Sequence, residues 1–183
     1  MNTKIPNSEL KRLSLDEFKE ADKTPIFIVL DNIRSAQNVG SVFRTMDAFR
    51  CEELILCGIS ARPPHREINK TALGASESVN WRYHDNTLDA VSELQEMGVS
   101  VWAVEQTEQS VLLNEFSLKT NNAIALVFGN EVKGVAQDVV DQCNGSLEIP
   151  QFGSKHSLNI SVCAGIVIWD IFDKKYRSRM AES

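Results

Sequence analysis

The chain contains no run of about 18 apolar residues, which excludes a membrane-spanning helix from its hydropathy pattern. Its opening segment, MNTKIPNSELKRLSLDEFKE, lacks the apolar stretch of a secretory signal, and none is expected. The four cysteines (Cys51, Cys57, Cys143 and Cys163) include no CxxC pair. The three histidines (His65, His84 and His156) make no ligand spacing with them, so no metal site is expected. Reduced, buried thiols in a cytoplasmic protein are the simplest reading. Positive charge is not in excess either. A formal net charge of −6 argues against gripping nucleic acid by global charge and leaves only local patches for that purpose. The sequence GNEVKG at residues 129–134 is neither a Walker A loop nor GxGxxG. An enzyme acting on a phosphorylated metabolite therefore has no phosphate loop to rest on. Internal repeats and low-complexity segments are absent.

What is present suits one domain with a sizeable core: 183 residues, 43% of them hydrophobic. Ile26–Leu30, residues 53–59, Val99–Val104, Ala123–Phe128 and Ser146–Ile149 are short apolar runs of the kind buried on both faces of a sheet. Trp81–His84 reads as a further short strand, while residues 110–116 are ambiguous. Between the strands, Val39, Val42, Phe43, Met46 and Phe49 recur at helical spacing, and Leu88–Met97 is a second amphipathic segment ended by Gly98. Val135–Cys143 reads as a short helix and Ser157–Phe172 as a long one. Ser8–Ala21 reads as an amphipathic helix on Leu10, Leu13, Leu15 and Phe18, and Asn121-Asn122 as a turn. Strands alternating with helices predict an α/β fold, a mostly parallel sheet with helices on both faces. Three parts are expected: an N-terminal helical extension over 1–24, a main domain over 25–173 and a basic tail over 174–183.

In a parallel sheet the strand C-termini share one edge, where ligands usually sit. Three of these ends gather polar residues, at 32–44, 129–134 and 151–159. They offer Asn38 and Arg44, then Gly129 and Glu131, then Ser157 and Asn159. Gly129 has no side chain to keep a ligand from the backbone. Each residue also has a plainer reading. Asn38 and Ser157 suit helix caps, Arg44 a solvated helix surface, Glu131 a complement to a helix dipole, and Gly129 and Gly134 ordinary loops.

Taken together, NVGSVFRTMDAF, LVFGNEVKG and IPQFGSKHSLNISVCAGI resemble, in order, the three motifs of the SpoU/TrmH family of RNA ribose 2′-O-methyltransferases, within the SPOUT superfamily. The resemblance runs from about Ile26 to Phe172. It implies an α/β knot, with the C-terminal part threaded into a deep trefoil, which periodicity cannot show and general topology rules disfavour. It also implies a homodimer with each active site near the subunit interface. S-adenosyl-L-methionine is the implied methyl donor, held against Phe128, Gly129, Asn130, Ile149, Gln151 and Leu158. Asn38, Arg44, Glu131, Ser157 and Asn159 match the family's catalytic positions, with Arg44 acting at the ribose hydroxyl. A guanidinium is a poor base, so binding a phosphate and stabilising developing alkoxide charge is the preferred role for Arg44. Arg50 stands where the family usually has glycine, Val132 replaces a common glycine, and Gln151 a frequent methionine. The expected substrate is RNA, with tRNA favoured over rRNA because the compact chain leaves no room for a separate RNA-binding domain. Arg62, His65, Arg66 and Lys70, and Lys174, Lys175, Arg177 and Arg179, are the candidate basic patches. The competing reading is a SPOUT-fold RNA-binding protein without catalysis.

Overall fold

The structure is a computed structural model and describes residues 2–6, 9–10, 12–118, 122–154 and 157–181, without the side chains of 178–181. Strands β1 (Thr24–Asp31), β2 (Cys51–Cys57), β3 (Trp81–His84), β4 (Ser100–Val104), β5 (Val111–Leu112), β6 (Ile124–Phe128) and β7 (Gly145–Glu148) form one sheet in the order β3-β2-β1-β6-β4-β7-β5. Every pairing in it is parallel. Helices α1 (Leu15–Glu20), α2 (Ala36–Ala48), α3 (Arg66–Ala72), α4 (Ala75–Ser78) and α7 (Ile160–Ala181) lie on one face, and α5 (Thr87–Glu96) and α6 (Gln137–Gln142) on the other.

Central strand β1 shows why its apolar run does not alternate. Ile26, Ile28 and Leu30 enter the core under α2 and α7, whereas Phe27 and Val29 enter the core under α5. Both faces are dry, and each fully buried large side chain contributes about 1.5–3 kcal/mol. The α2 apolar stripe buries Val39, Val42, Phe43 and Met46 as its spacing predicts, whereas Phe49 is the C-cap and stays half-buried. The ambiguous stretch 110–116 supplies β5. Because β7 lies between β4 and β5, the β4–β5 connection crosses β7. It is tied there by Glu105 N–H to Leu147 O at 3.1 Å, Thr107 Oγ1 with Ser146 Oγ at 2.6 Å, and Ser110 Oγ to Glu148 at 2.6 Å.

Several boundaries differ from expectation. The N-terminal helix does not span 8–21. It starts after Ser14, whose hydroxyl caps the Glu17 N–H while the Glu17 carboxylate returns to the Ser14 N–H, a reciprocal cap that fixes the start. Leu10, Leu13 and Leu15 stay exposed and only Phe18 is buried. Ser8 and Asn121 lie outside the described residues. Helix α7 starts at Ile160 rather than Ser157, since Asn159 caps it by accepting from Ser161 N–H at 2.9 Å.

The basic tail is no tail as far as Ala181, because α7 continues through it. Lys175 is 3% exposed and donates to Asn122 O at 2.7 Å. Lys174 donates to Leu113 O at 2.6 Å and to Asp170, and Arg177 pairs with Asp173. Lys174 and Lys175 thus tie α7 to the body of the fold, Arg177 makes only a surface pair within its own helix, and the Arg179 side chain lies outside the described residues.

Candidate functional site

The C-terminal ends of β4, β6 and β7 surround a pocket of about 660 Å³, within the range of small-molecule sites. Each wall is a loop leaving a strand. All six residues expected to hold a donor (Phe128, Gly129, Asn130, Ile149, Gln151 and Leu158) line it, as do Glu131, Ser157 and Asn159. Its apolar walls are Val104, Phe128, Leu147, Ile149 and Leu158.

The loop after β6 is closed by a bridge between Asn130 and Gly134. Gly129 is required for that closure, since a Cβ there would overlap the backbone of Gly134 and Val135. Asn130 pins the loop from both sides. Its Nδ2 donates to Asn32 O at 2.7 Å, and its Oδ1 accepts from the N–H groups of Val132 and Lys133.

Glu131, next in the chain, reaches the start of α2. Its carboxylate accepts from Arg34 N–H at 2.9 Å, Ser35 N–H at 3.0 Å and Asn38 Nδ2 at 3.2 Å. Partial burial pushes the carboxyl upward, but the hydrogen bonds from Arg34, its own loop backbone, Ser35 and Asn38 outweigh it and hold the group below its ordinary value. The dipole-complement reading of Glu131 is thus what the geometry displays, at the unpaired N–H groups before α2. Asn38 is not the cap of α2; Ser35 is. Asn38 instead accepts from Asn159 Nδ2 at 3.3 Å, so the three motif segments meet in one chain of contacts, Glu131–Asn38–Asn159. Ser157 stands exposed at the pocket rim and takes no capping role.

Arg44 is elsewhere. It lies six residues beyond Asn38 on α2, hence about 9 Å along the axis and roughly 120° around it. It is exposed and lines a different groove, with Ser41, Thr45, Lys70 and Gly165. Among the basic-patch candidates, Arg62 stacks over the Tyr83 ring at 4.0 Å and His65 caps α3. Arg66 and Lys70 remain exposed.

The fourth strand end escaped the sequence reading. Glu105, Gln106 and Thr107 follow β4 directly and line the pocket. The Glu105 carboxylate accepts from Val135 N–H at 3.0 Å and from Gln106 N–H at 3.0 Å, joining the β4 and β6 loops. The signal was available, since a polar triplet leaves an apolar strand at the same sheet edge. Cys163 also lines the pocket, and burial pushes its thiol up to about 11. Among the described residues no group of side chains is placed to hold a metal, and no helix is long and apolar enough to cross a membrane.

The sequence of residues 25–169 matches the SpoU rRNA Methylase family. The chain belongs to that family. As a SpoU-family member it is 29% identical over 157 residues to a Bacillus subtilis (strain 168) protein, YacO, named as of the TrmH family of tRNA/rRNA methyltransferases. That match covers 86% of this chain and 62% of the relative. It is likewise 29% identical over 171 residues to the 23S rRNA (guanosine-2'-O-)-methyltransferase RlmB of Haemophilus ducreyi, covering 93% of this chain and 69% of the relative. The SpoU-family fold agrees with a crystal structure of an A. aeolicus TrmH/SpoU tRNA modifying enzyme, at TM-score 0.79 and 23% identity, over 91% of this chain and 84% of that one. An AdoMet-bound rRNA methyltransferase from Sinorhizobium meliloti superposes at TM-score 0.75 and 25% identity, over 84% of this chain and 58% of that one.

Proposed function

We propose that this SpoU-family protein transfers a methyl group from S-adenosylmethionine to a ribose 2′-hydroxyl of RNA, working as a homodimer. The observation that carries the reading is the meeting of the three motif segments, with Asn38 hydrogen-bonded to both Glu131 and Asn159, which line one pocket. S-adenosylmethionine fits the pocket in kind: apolar walls suit an adenine and a methionine chain, and the Glu105 carboxylate suits a cation. The backbone of Phe128, Gly129, Ile149 and Leu158 would hold it, together with Asn130 and Gln151. When bound, it supplies an electrophilic methyl group on a sulfonium.

The protein's part is placement and charge. Glu131 and Asn38 fix the start of α2, and Asn159 fixes the start of α7 against it. Arg44, at the far end of α2, offers a planar fork of donors suited to a phosphate and to negative charge growing on a ribose oxygen. Holding two reactants in line is the main rate contribution open to such a site. Arg44 lines a groove apart from its own chain's pocket, and this favours a second copy that brings the two together. Helix α7 carries a fitting surface. Val162, Ile166, Trp169 and Tyr176 lie on one exposed stripe, continuous with Phe49 and Phe172 through ring contacts of 5.1–6.0 Å. The crossing of β7 by the β4–β5 connection supports the trefoil knot that the family resemblance implies.

Relatives are named for both 23S rRNA and tRNA/rRNA, so the proposal covers RNA without a preference for tRNA. The test is mass spectrometry of tRNA and rRNA from a strain lacking the gene, with calorimetry of S-adenosylmethionine binding to the purified protein. Loss of one 2′-O-methylated nucleotide, restored by the wild-type gene, is expected. Donor binding with an unchanged RNA methylation profile favours the non-catalytic RNA-binding reading, and absence of donor binding removes the proposal.

A further inference from the structure

The groove holding Arg44 has a second cation. It measures about 640 Å³, and Lys70 of α3 lines it beside Arg44, Ser41 and Thr45 of α2. The hydroxyls on this surface are already committed. Ser41 Oγ donates to Gln37 O at 3.0 Å, Thr45 Oγ1 to Ser41 O at 3.1 Å and Thr71 Oγ1 to Gln37 O at 3.0 Å. The donors left for a ligand are therefore the guanidinium and the ammonium. Neither Arg44 nor Lys70 has a hydrogen bond or ion pair among the described residues. The carboxylate of Glu67, one turn before Lys70, is engaged by Gln37 Nε2 at 2.7 Å. Glu67 keeps its charge and attracts Lys70 through space, but no carboxylate among the described residues bonds either cation directly, so both retain donors that an anion entering the groove can take.

The pairing is built into the packing of α2 on α3. A Cβ at Gly40 would overlap Thr71 Oγ1 and the Ile68 carbonyl, so α3 lies closer to α2 than any other residue at 40 allows. Lys70 is thereby fixed on the rim that Arg44 occupies, and whatever carries Arg44 to a methyl donor carries Lys70 too. We propose that Lys70 is a positioning residue for the RNA strand, binding a phosphodiester next to the one at Arg44. This rests on the reading of the protein as an RNA ribose methyltransferase. An ammonium on a flexible stem binds phosphate as a point charge, so the contact sets strand position without reading sequence.

The test is fluorescence anisotropy with a labelled single-stranded RNA of mixed sequence, titrated between about 0.05 and 0.2 M salt. Lys70→Ala is expected to weaken binding about tenfold and to lower the slope of log affinity against log salt by about 0.7–1, whereas Lys70→Arg restores both. In methyl transfer to total RNA from a strain lacking the gene, Lys70→Ala is expected to raise KM with kcat nearly unchanged. Binding of S-adenosylhomocysteine, measured by calorimetry, stays at the wild-type value. A Lys70→Ala protein with wild-type slope and KM overturns the role of Lys70 and leaves the reaction untouched. If the wild type transfers no methyl group, yet Lys70→Ala still loses affinity and slope, phosphodiester binding stands and the proposed reaction falls.

Discussion

Asn38 Nδ2 donates to Glu131 Oε1 at 3.2 Å, joining residues 93 positions apart at the rim of the pocket. The same carboxylate holds the backbone N–H groups of Arg34 and Ser35. One side chain thus orients the N-terminal end of α2 toward the loops after β6 and β7. Glu131→Gln keeps an acceptor but removes the charge from three hydrogen bonds. We expect a loss of about 1 kcal/mol in urea unfolding, at the low end for charged hydrogen bonds because the carboxylate is exposed. Methyl transfer is expected to fall at least about tenfold with donor affinity little changed.

The same residue predicts a pH dependence. Its folded carboxyl titrates below the ordinary value of 4.5, so the stability it contributes is complete above that value and is lost as pH falls through the folded one. The difference in urea midpoint between wild type and Glu131→Gln should be flat above about pH 5 and shrink below it. A difference that instead grows on acidification contradicts the hydrogen-bond assignment.

Arg44→Lys separates geometry from charge. Arg44 makes no hydrogen bond or ion pair among the described residues, so stability should change by less than about 0.5 kcal/mol. An ammonium cannot reproduce the planar fork, and kcat/KM should drop at least about tenfold with donor binding intact. Near-normal turnover would show that a point charge suffices.

Arg50 adopts φ +47°, a left-handed conformation that costs a side-chain-bearing residue about 1 kcal/mol. This accounts for the glycine usual at that position in the SpoU/TrmH pattern. Arg50→Gly should raise stability by up to about 1 kcal/mol, or roughly 2–4 °C in Tm by calorimetry. A lower Tm would mean that the arginine side chain contributes more than the strain removes.

Trp169 is 53% exposed at the centre of the α7 stripe. Placing a charge there by Trp169→Glu should convert the proposed dimer to a monomer in sedimentation equilibrium. Methyl transfer should be lost with it, since the proposed pairing is what would bring Arg44 of one chain to the pocket of the other. A Trp169→Glu protein that remains dimeric places the interface elsewhere.

The short-range character of this protein is written in its residues. Apolar runs such as IFIVL specify strands buried on both faces, and the α2 stripe specifies the face that meets the sheet. The loops that approach each other follow from strands that all run one way. These are local properties of spacing and side-chain type, so the sequence alone determines them. Strand order is different. That β7 enters between β4 and β5 depends on long-range packing that no window of residues encodes. The same holds for Lys174 and Lys175, whose charges read as a solvated tail until the fold brings carbonyls of Leu113 and Asn122 to them. It holds for Glu131, whose partners lie more than 90 residues away. Asn38 and Arg44 read as one cluster along the chain, but the turn of the helix sends Asn38 to Glu131 and Asn159 and Arg44 to a separate groove. Side-chain chemistry names which groups can act; only the three-dimensional arrangement decides which of them share a ligand, because that depends on distances set by the whole core.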